Sequence, residues 1–249
     1  MAAFDSSIHR SSILQKPDMQ RAREPFRKIV HQLEVFYGKP EPPKITDPLE
    51  MILLENIAYL VKDEQRDEAF AALRDRVGLS PVNILAASDE ALSEVAELGG
   101  IRPDARVNKL RTIAQIVLQE FEGDLAGALK QPAARARRAL KKFPGIGDPG
   151  AEKILLFSRT QPAFALESNG LRVMIRLGFG EERKNYAATY RSAQEAVDEE
   201  TGKNFDWLIA TYQLVRRHGR ELCKNSQPRC KHCPVSRSCR YFKEKLRDV

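Results

Sequence analysis

The sequence predicts an all-α protein, and three observations support this fold class. Apolar residues recur at spacings of three and four along most of the 249 residues, and no stretch alternates apolar and polar residues as a strand does. Glycines and prolines lie between the periodic stretches, where they end helices. A hydrophobic fraction of 42% is sufficient for a buried core.

The apolar periodicity predicts a series of helices in chain order. They cover roughly 23–37, 48–62, 65–77, 88–98, 103–122, 134–142, 149–159, 168–178, 187–200 and 205–219. Gly38 ends the first of them, Gly99 and Gly100 end the fourth, and Gly178 ends the eighth. Residues 1–22 are polar and predict a loose N-terminal arm.

The chain is basic, with a net charge of +7 and a pI near 9.3, which permits an anionic partner. Two basic runs stand out, at 130–142 and at 216–249. A solvated surface is the ordinary explanation for either run alone, but both flank the motifs described next, which favours contact with phosphates. No apolar stretch approaches a membrane span, and the start is unlike a signal peptide, so we expect a cytoplasmic protein.

All four cysteines lie within seventeen residues, in the pattern C-x6-C-x2-C-x5-C. They are Cys223, Cys230, Cys233 and Cys239. Clustered thiols in a cytoplasmic chain indicate metal ligands more than disulfides, and four thiolates suit either zinc or a 4Fe–4S cluster. Four protein ligands leave no open position for a substrate, so the predicted role is structural.

Basic residues lie within and beside the cysteine loop. Lys224 and Arg229 stand between the first two cysteines, and Lys231 follows the second. A loop already ordered by a metal binds phosphate without a large ordering cost. We therefore expect these three side chains to contact a nucleic-acid backbone.

A glycine-rich turn separates a basic helix from an apolar one. Residues 143–151 read FPGIGDPGA and precede ILLF, which predicts a helix, a tight hairpin and a second helix capped by Asp148. Gly145 and Gly147 allow backbone N–H groups to approach a phosphate. The basic helix before the turn ends at Lys142, which we expect to contact DNA.

The hairpin and the cysteine loop together resemble the helix-hairpin-helix DNA glycosylases related to endonuclease III. Further matching residues are Asp47-Pro48-Leu49-Glu50, Gly100-Ile101, Leu171-Arg172-Val173 and His218-Gly219-Arg220. The resemblance spans roughly residues 45–245. It implies a monomer that binds double-stranded DNA, in association with the nucleoid, and flips a base into a cleft.

The same resemblance implies an architecture and a cofactor. A six-helix barrel would comprise residues 49–160, with the helix-hairpin-helix at about 134–157. Residues 23–48 plus 161–249 would form a helical iron–sulfur domain packed against that barrel. The cysteine spacing is similar to that of the family's 4Fe–4S loop, which favours this cluster over zinc.

Two catalytic positions of the family are altered in this chain. Bifunctional relatives carry a nucleophilic lysine where this chain has Pro149, so we expect no lyase step of the usual kind. Lys153, one helical turn further on, faces a similar direction, and we give it little weight. Glu167 takes the place of the family's aspartate, which stabilises the cationic sugar; the alternative role of Glu167 is that of a helix N-terminal charge.

Glu55 is a candidate general acid. Its helical neighbours at three and four residues are apolar or aromatic, and such surroundings favour the protonated form of a carboxyl. The resemblance also matches Glu55 to the essential acid of monofunctional adenine glycosylases. The alternative is a buried structural glutamate. Leu60 falls where relatives fill the gap left by the flipped base, and it would do so by packing.

The leading hypothesis is thus a monofunctional DNA N-glycosylase with Glu55 and Glu167 as its catalytic carboxylates. The main alternative is a non-catalytic DNA-binding protein on the same fold, because both usual catalytic positions differ. A third hypothesis makes the cluster a redox sensor that regulates DNA binding.

Overall fold

The computed structural model describes residues 23–58 and 61–245. Within these ranges the chain forms α-helices and two short 3₁₀-helices and has no β-strand, which confirms the all-α prediction. The helices are α1 (Phe26–Tyr37), α2 (Pro48–Ile57), α3 (Asp63–Arg76), α4 (Pro81–Ala86), α5 (Asp89–Leu98), α6 (Pro103–Phe121), α7 (Leu125–Ala128), α8 (Ala133–Leu140), α9 (Asp148–Phe157), α10 (Ser168–Leu177), α11 (Tyr186–Glu195), α12 (Asp198–Thr201), α13 (Phe205–Glu221) and α14 (Arg240–Lys245). The 3₁₀-helices are Cys230–His232 and Ser236–Ser238.

The structure differs from the sequence prediction mainly in short helices and in α2. The helices α4, α7 and α14 were not expected, because one or two turns hold too few apolar residues to show a period. α2 ends at Ile57 rather than at 62, and Ala58 is extended. The predicted N-terminal arm, 1–22, lies outside the described residues.

Helix starts follow from local side-chain chemistry. The Asp47 side chain accepts a hydrogen bond from the Glu50 backbone N–H at 2.9 Å, and Pro48 occupies the first turn of α2. Both features favour a helix start, since the first turn has unpaired N–H groups and proline lacks one. The capping fixes where α2 begins and thereby the position of Glu55 along it.

The helices pack in two groups. α2 contacts α3, α6, α7 and α9, while α4 and α5 pack on α6 and α8 packs on α9. In the second group α13 contacts α1 and α10, and α10 contacts α11 and α14. The helix α9 also packs on α13, where the rings of Phe157 and Tyr212 meet edge to face at 5.1 Å. The α9–α13 contact therefore joins the two groups; the domain boundaries stay a prediction.

A buried glutamate strengthens this junction. Glu152 on α9 accepts hydrogen bonds from the Tyr190 hydroxyl at 2.6 Å and from Gln194 Nε2 at 2.7 Å, both on α11. Its other oxygen lies 3.2 Å from Arg137 on α8. Because the carboxylate is fully partnered, its burial is compatible with a stable fold, and it fixes the orientation of α9.

Across residues 23–58 and 61–245, no helix combines the length and the apolar character needed to cross a membrane.

Candidate active site and DNA interface

Glu55 forms an ion pair with Lys153, which lies 98 positions further along the chain. α2 carries the glutamate and α9 the lysine, and the α2–α9 packing brings them together. The two side chains are 31% and 19% exposed, respectively. The pair is thus partly desolvated and still accessible from solvent.

The ion pair corrects the expected protonation state of Glu55. Burial acts to raise the pKa of Glu55, but the charge and hydrogen bond of Lys153 outweigh it and lower the pKa below its usual value. Burial likewise opposes the charge on Lys153, but Tyr212 and Glu55 raise its pKa. The prediction that apolar neighbours keep Glu55 protonated was wrong, because its decisive neighbour is distant in sequence.

Further charges surround this pair. Arg66 and Arg216 are close enough to lower the pKa of Glu55. Asp63, at the start of α3, lies 3.3 Å from Arg216 and pairs with Arg220 on α13. Burial acts to raise the pKa of Asp63, and the two arginines lower it further than burial raises it. These contacts hold the start of α3 against α13 beside Glu55.

Glu167 caps α10. Its two oxygens accept hydrogen bonds from the Gly170 backbone N–H and from Asn169 Nδ2, each at 2.7 Å. The capping role is therefore real, whatever chemical role the carboxylate has. Glu167 also lies close enough to the Tyr212 hydroxyl to raise its pKa, as Glu55 does, although burial is the largest cause.

The glycine hairpin is anchored to α2 by the residue next to Glu55. Asn56 Nδ2 donates to the Pro144 carbonyl at 2.9 Å and to the Ile52 carbonyl at 3.0 Å. Gly145 has φ +74°, a conformation that favours glycine, and a Cβ there would lie 3.2 Å from Asn56 Oδ1. Asn56, the residue after Glu55, thus fixes the hairpin backbone next to the part of α2 that carries Glu55.

The start of α9 differs from the sequence prediction. Gly147 is the N-cap residue, and Asp148 is the first helical residue rather than the cap. The Asp148 side chain instead pairs with Lys141 at 2.7 Å. Lys142 pairs with Glu120. Gly145 and Gly147 are exposed, so their backbone is open to a ligand.

The four cysteines line one cavity, together with apolar residues of α10 and α14 and with His218 of α13. Within the described part of the chain, no three His, Cys, Asp or Glu side chains converge closely enough to hold a single metal ion. The sulfurs have polar neighbours: Cys223 Sγ lies 3.5 Å from Arg176 Nη1, and Cys233 Sγ lies 3.5 Å from His218 Nε2. Burial raises the pKa of the Cys233 thiol to about 12.

The predicted DNA contacts of the cysteine loop are on the surface. Lys224, Arg229 and Lys231 are all exposed. The loop is held by Arg176, which donates to the Lys224 and Asn225 carbonyls at 2.6 and 3.0 Å. Leu60, the predicted wedge, lies outside the described residues.

The loop between α5 and α6 presents an apolar side chain that sequence reasoning gave no role. Ile101 is 64% exposed, and it lies between Gly100 at φ +100° and Arg102 at φ +59°. Gly99 packs directly on the Ile57 carbonyl at the end of α2, where a Cβ would be 1.8 Å from the oxygen. The sequence signal that could have indicated this exposed loop is the pair Gly99-Gly100 directly before Ile101.

Comparison with known proteins supports the fold described above. No family model matches the chain. Endonuclease III of Thermotoga maritima is 23% identical over 212 residues, which are 85% of this chain and 92% of the relative. A thymine/uracil-DNA glycosylase of Pyrobaculum aerophilum is 26% identical over 176 residues, which are 68% of this chain and 70% of that protein. The structure of a trapped endonuclease III–DNA covalent intermediate has a TM-score of 0.69 at 20% identity, covering 89% of this chain and 97% of that chain.

The chain is thus similar in sequence and in fold to endonuclease III proteins and to other DNA glycosylases, which confirms the resemblance inferred from the hairpin and the cysteine loop.

Proposed function

We propose that this protein is a monofunctional base-excision DNA glycosylase that flips one nucleotide out of a duplex and hydrolyses its N-glycosidic bond. One observation carries the proposal: a partly accessible ion pair of Glu55 and Lys153 lies on α2 and α9, next to Asn56, which anchors the glycine hairpin. Glu167, at the start of α10, adds a second carboxylate; α10 and α9 both pack on α13, and the charges of Glu167, Glu55 and Lys153 all act on Tyr212 of that helix. Two carboxylates and a cation suit a reaction with a cationic, sugar-centred transition state.

The ion pair suggests how the chemistry is divided. Water adds to the sugar carbon as the bond to the base breaks, and the base leaves with a proton. Glu55, ionised in the free protein, stabilises the positive sugar and accepts a proton from the attacking water. The Lys153 ammonium donates a hydrogen bond or its proton to the leaving base. Glu167 holds the α10 terminus and adds negative charge near the sugar.

The hairpin and the cysteine loop provide the grip on DNA. The exposed backbone at Gly145 and Gly147 offers N–H donors to a phosphate. Lys142 adds a cation, which would leave its surface ion pair with Glu120 to bind a phosphate of the DNA. Lys224, Arg229 and Lys231 hold a second phosphate region. Ile101 is the exposed apolar side chain that fits a base-pair step as a wedge.

The four cysteines would hold a 4Fe–4S cluster. They line one cavity rather than converging on a point, and Arg176 and His218 place nitrogen atoms 3.5 Å from two of the sulfurs, where N–H groups stabilise cluster-bound thiolates. When bound, the cluster would staple the loop and leave no coordination site for substrate. The chain's own contribution is to order Lys224 and its neighbours for phosphate binding.

The test measures base release from duplexes that carry deaminated, oxidised, alkylated or mismatched bases, with and without hot alkali. We expect strand breaks only after alkali, and a loss of at least about 100-fold in Glu55→Gln. Glu50→Gln is the matched control, because Glu50 lies on the same helix and pairs with Arg74 on the surface. Breaks without alkali would contradict the monofunctional assignment. No release from any duplex, with tight binding, would favour a non-catalytic DNA-binding protein.

A further inference from the structure

A long open groove runs along α10, between the loop at 182–185 and α14. Its walls carry five cationic side chains, Arg172, Arg176, Arg183, Lys184 and Arg240. The carboxylates in its walls are Glu182 and Glu244. The groove is therefore positively charged, although none of its cations belongs to the hairpin or to the predicted phosphate contacts.

Two of these cations are fixed by neutral partners. Arg172 donates to the Cys223 carbonyl at 3.0 Å and to the Gly219 carbonyl at 2.8 Å. Arg176 donates to the carbonyls of the cysteine loop. Because carbonyls carry no net charge, Arg172 keeps its full positive charge while being ordered in advance. Arg176, which also lies 3.5 Å from Cys223 Sγ, is ordered in the same way. Ordered cations bind phosphate at a lower entropic cost than mobile ones.

Arg183 and Lys184 are available for exchange. Arg183 pairs with Glu181 at 3.0 Å, and more than half of each side chain is exposed, so this ion pair is weak. Lys184 is exposed and has no ion pair among the described residues. Tyr186, in the same wall, is 47% exposed and offers an aromatic face to a base.

The groove connects two parts of the proposed DNA site. Ser168, at one end, follows Glu167 directly, and Asn225, at the other, lies in the cysteine loop beside Lys224. Along α10, Ser168 and Arg176 are separated by about 12 Å. Measured along the axis of a DNA duplex, that length corresponds to roughly three to four nucleotides of one strand. A strand that leaves the active site through this groove would arrive at the cysteine loop.

We propose that the groove binds the phosphodiester backbone of the damaged strand on one side of the flipped nucleotide. The proposal rests on the proposed function, because it requires a strand whose flipped nucleotide lies beside Glu167. Charge complementarity and continuity with the cysteine loop both favour a strand over a small anion. The groove thereby extends the footprint on the damaged strand beyond the hairpin.

The test compares two double variants with equal loss of charge. Arg183→Ala/Lys184→Ala removes the exchangeable cations, and Lys109→Ala/Lys203→Ala removes two exposed cations elsewhere. Binding to a duplex with a tetrahydrofuran abasic analogue is measured by fluorescence anisotropy across a salt series. We expect the groove variant to bind about tenfold more weakly, with a salt slope shallower by about 2, and the control variant to bind like the wild type. Circular dichroism verifies the fold of both.

A second measurement identifies the strand. The damaged strand is shortened up to the analogue on one side at a time. The wild type should lose affinity more on one side, and the groove variant should lose nothing further on that side. Equal losses on both sides, or a groove variant that matches its control, would overturn the proposal. Because the analogue cannot release a base, these results are independent of the proposed chemistry, which fails only if natural lesions are not excised.

Discussion

Replacing Lys153 with methionine removes the cation that holds Glu55 ionised. Methionine keeps most of the side-chain volume, so the main effect is a carboxylate left without its partner. Breaking a fully buried pair costs about 3–5 kcal/mol, and partial solvent access lowers that figure. Since Glu55 is 31% exposed, we expect the free energy of unfolding to fall by about 2–3 kcal/mol.

A double-mutant cycle separates the ion pair from other effects. Glu55→Gln alone leaves Lys153 charged and more deeply buried, so its cost should be of similar size, again about 2–3 kcal/mol. The double variant should be less destabilised than the sum of the two single changes, because no unpaired charge remains. Urea unfolding gives each value. The surface pair of Glu50 and Arg74, 3.3 Å apart, is the control, with an expected coupling of about 0–1 kcal/mol.

The pH dependence of stability provides an independent readout. The folded-state pKa of Glu55 is below its unfolded value, so its contribution is present above that unfolded value and is lost as the pH falls through the folded one. Lys153 has a raised pKa, so its contribution is lost as the pH rises through that folded value. In Lys153→Met, burial becomes the larger influence and should raise the folded-state pKa of Glu55 above its unfolded value. The sign of its contribution then reverses: the acid-side loss of stability should shrink, and Glu55 should instead cost stability as the pH rises through its raised pKa. The ion-pair reasoning would be refuted if the losses of unfolding free energy in the two single variants simply added up in the double variant and the decrease of stability at acidic pH stayed unchanged.

Two further predictions concern the hairpin and the cysteines. Gly145→Ala should destabilise the protein by about 1–2 kcal/mol, because its φ of +74° strains a side chain, and should also weaken DNA binding. Gly123→Ala, at φ +84° with open space around it, should show a similar strain without the loss of DNA binding; equal losses of binding would contradict the role of the hairpin. The wild-type protein should be brown when purified and Cys233→Ser should lose that visible absorbance, whereas a colourless wild type containing zinc would overturn the 4Fe–4S assignment.

The sequence was a good guide to the long helices and a poor one to the short ones. α6 and α13 have several turns of apolar periodicity, and the predicted ranges agree with theirs to within about two residues. α7 and α14 have at most two turns, and their formation depends on packing against distant elements. The end of α2 was also missed because it involves a distant part of the chain. Gly99 packs against the carbonyl of Ile57, the last residue of α2, and this contact is not visible in the local sequence.

The site divides along similar lines. The cysteine set was readable because its members are close in sequence, and the structure places all four around one cavity. Glu55 could be selected as a candidate because it is an acid on an apolar helix, but its charge state could not be predicted from the sequence. That state depends on Lys153, and only tertiary packing brings α9 against α2. Local neighbours predict burial, whereas the pKa follows the nearest charge.

The same ion pair explains why a lysine near the hairpin need not make this protein a lyase. A nucleophilic amine must lose its proton, but Glu55 and Tyr212 raise the pKa of Lys153 and keep it an ammonium ion. Pro149 leaves no amine in the turn itself, and the lysine one helical turn away is held as an ammonium ion, which donates hydrogen bonds and has no lone pair for attack. An ammonium ion beside a carboxylate can support departure of a base and attack by water, but it cannot attack the sugar. On the proposed function, proline at position 149 and a lysine at position 153 that an acid holds as a cation would both favour hydrolysis over covalent catalysis.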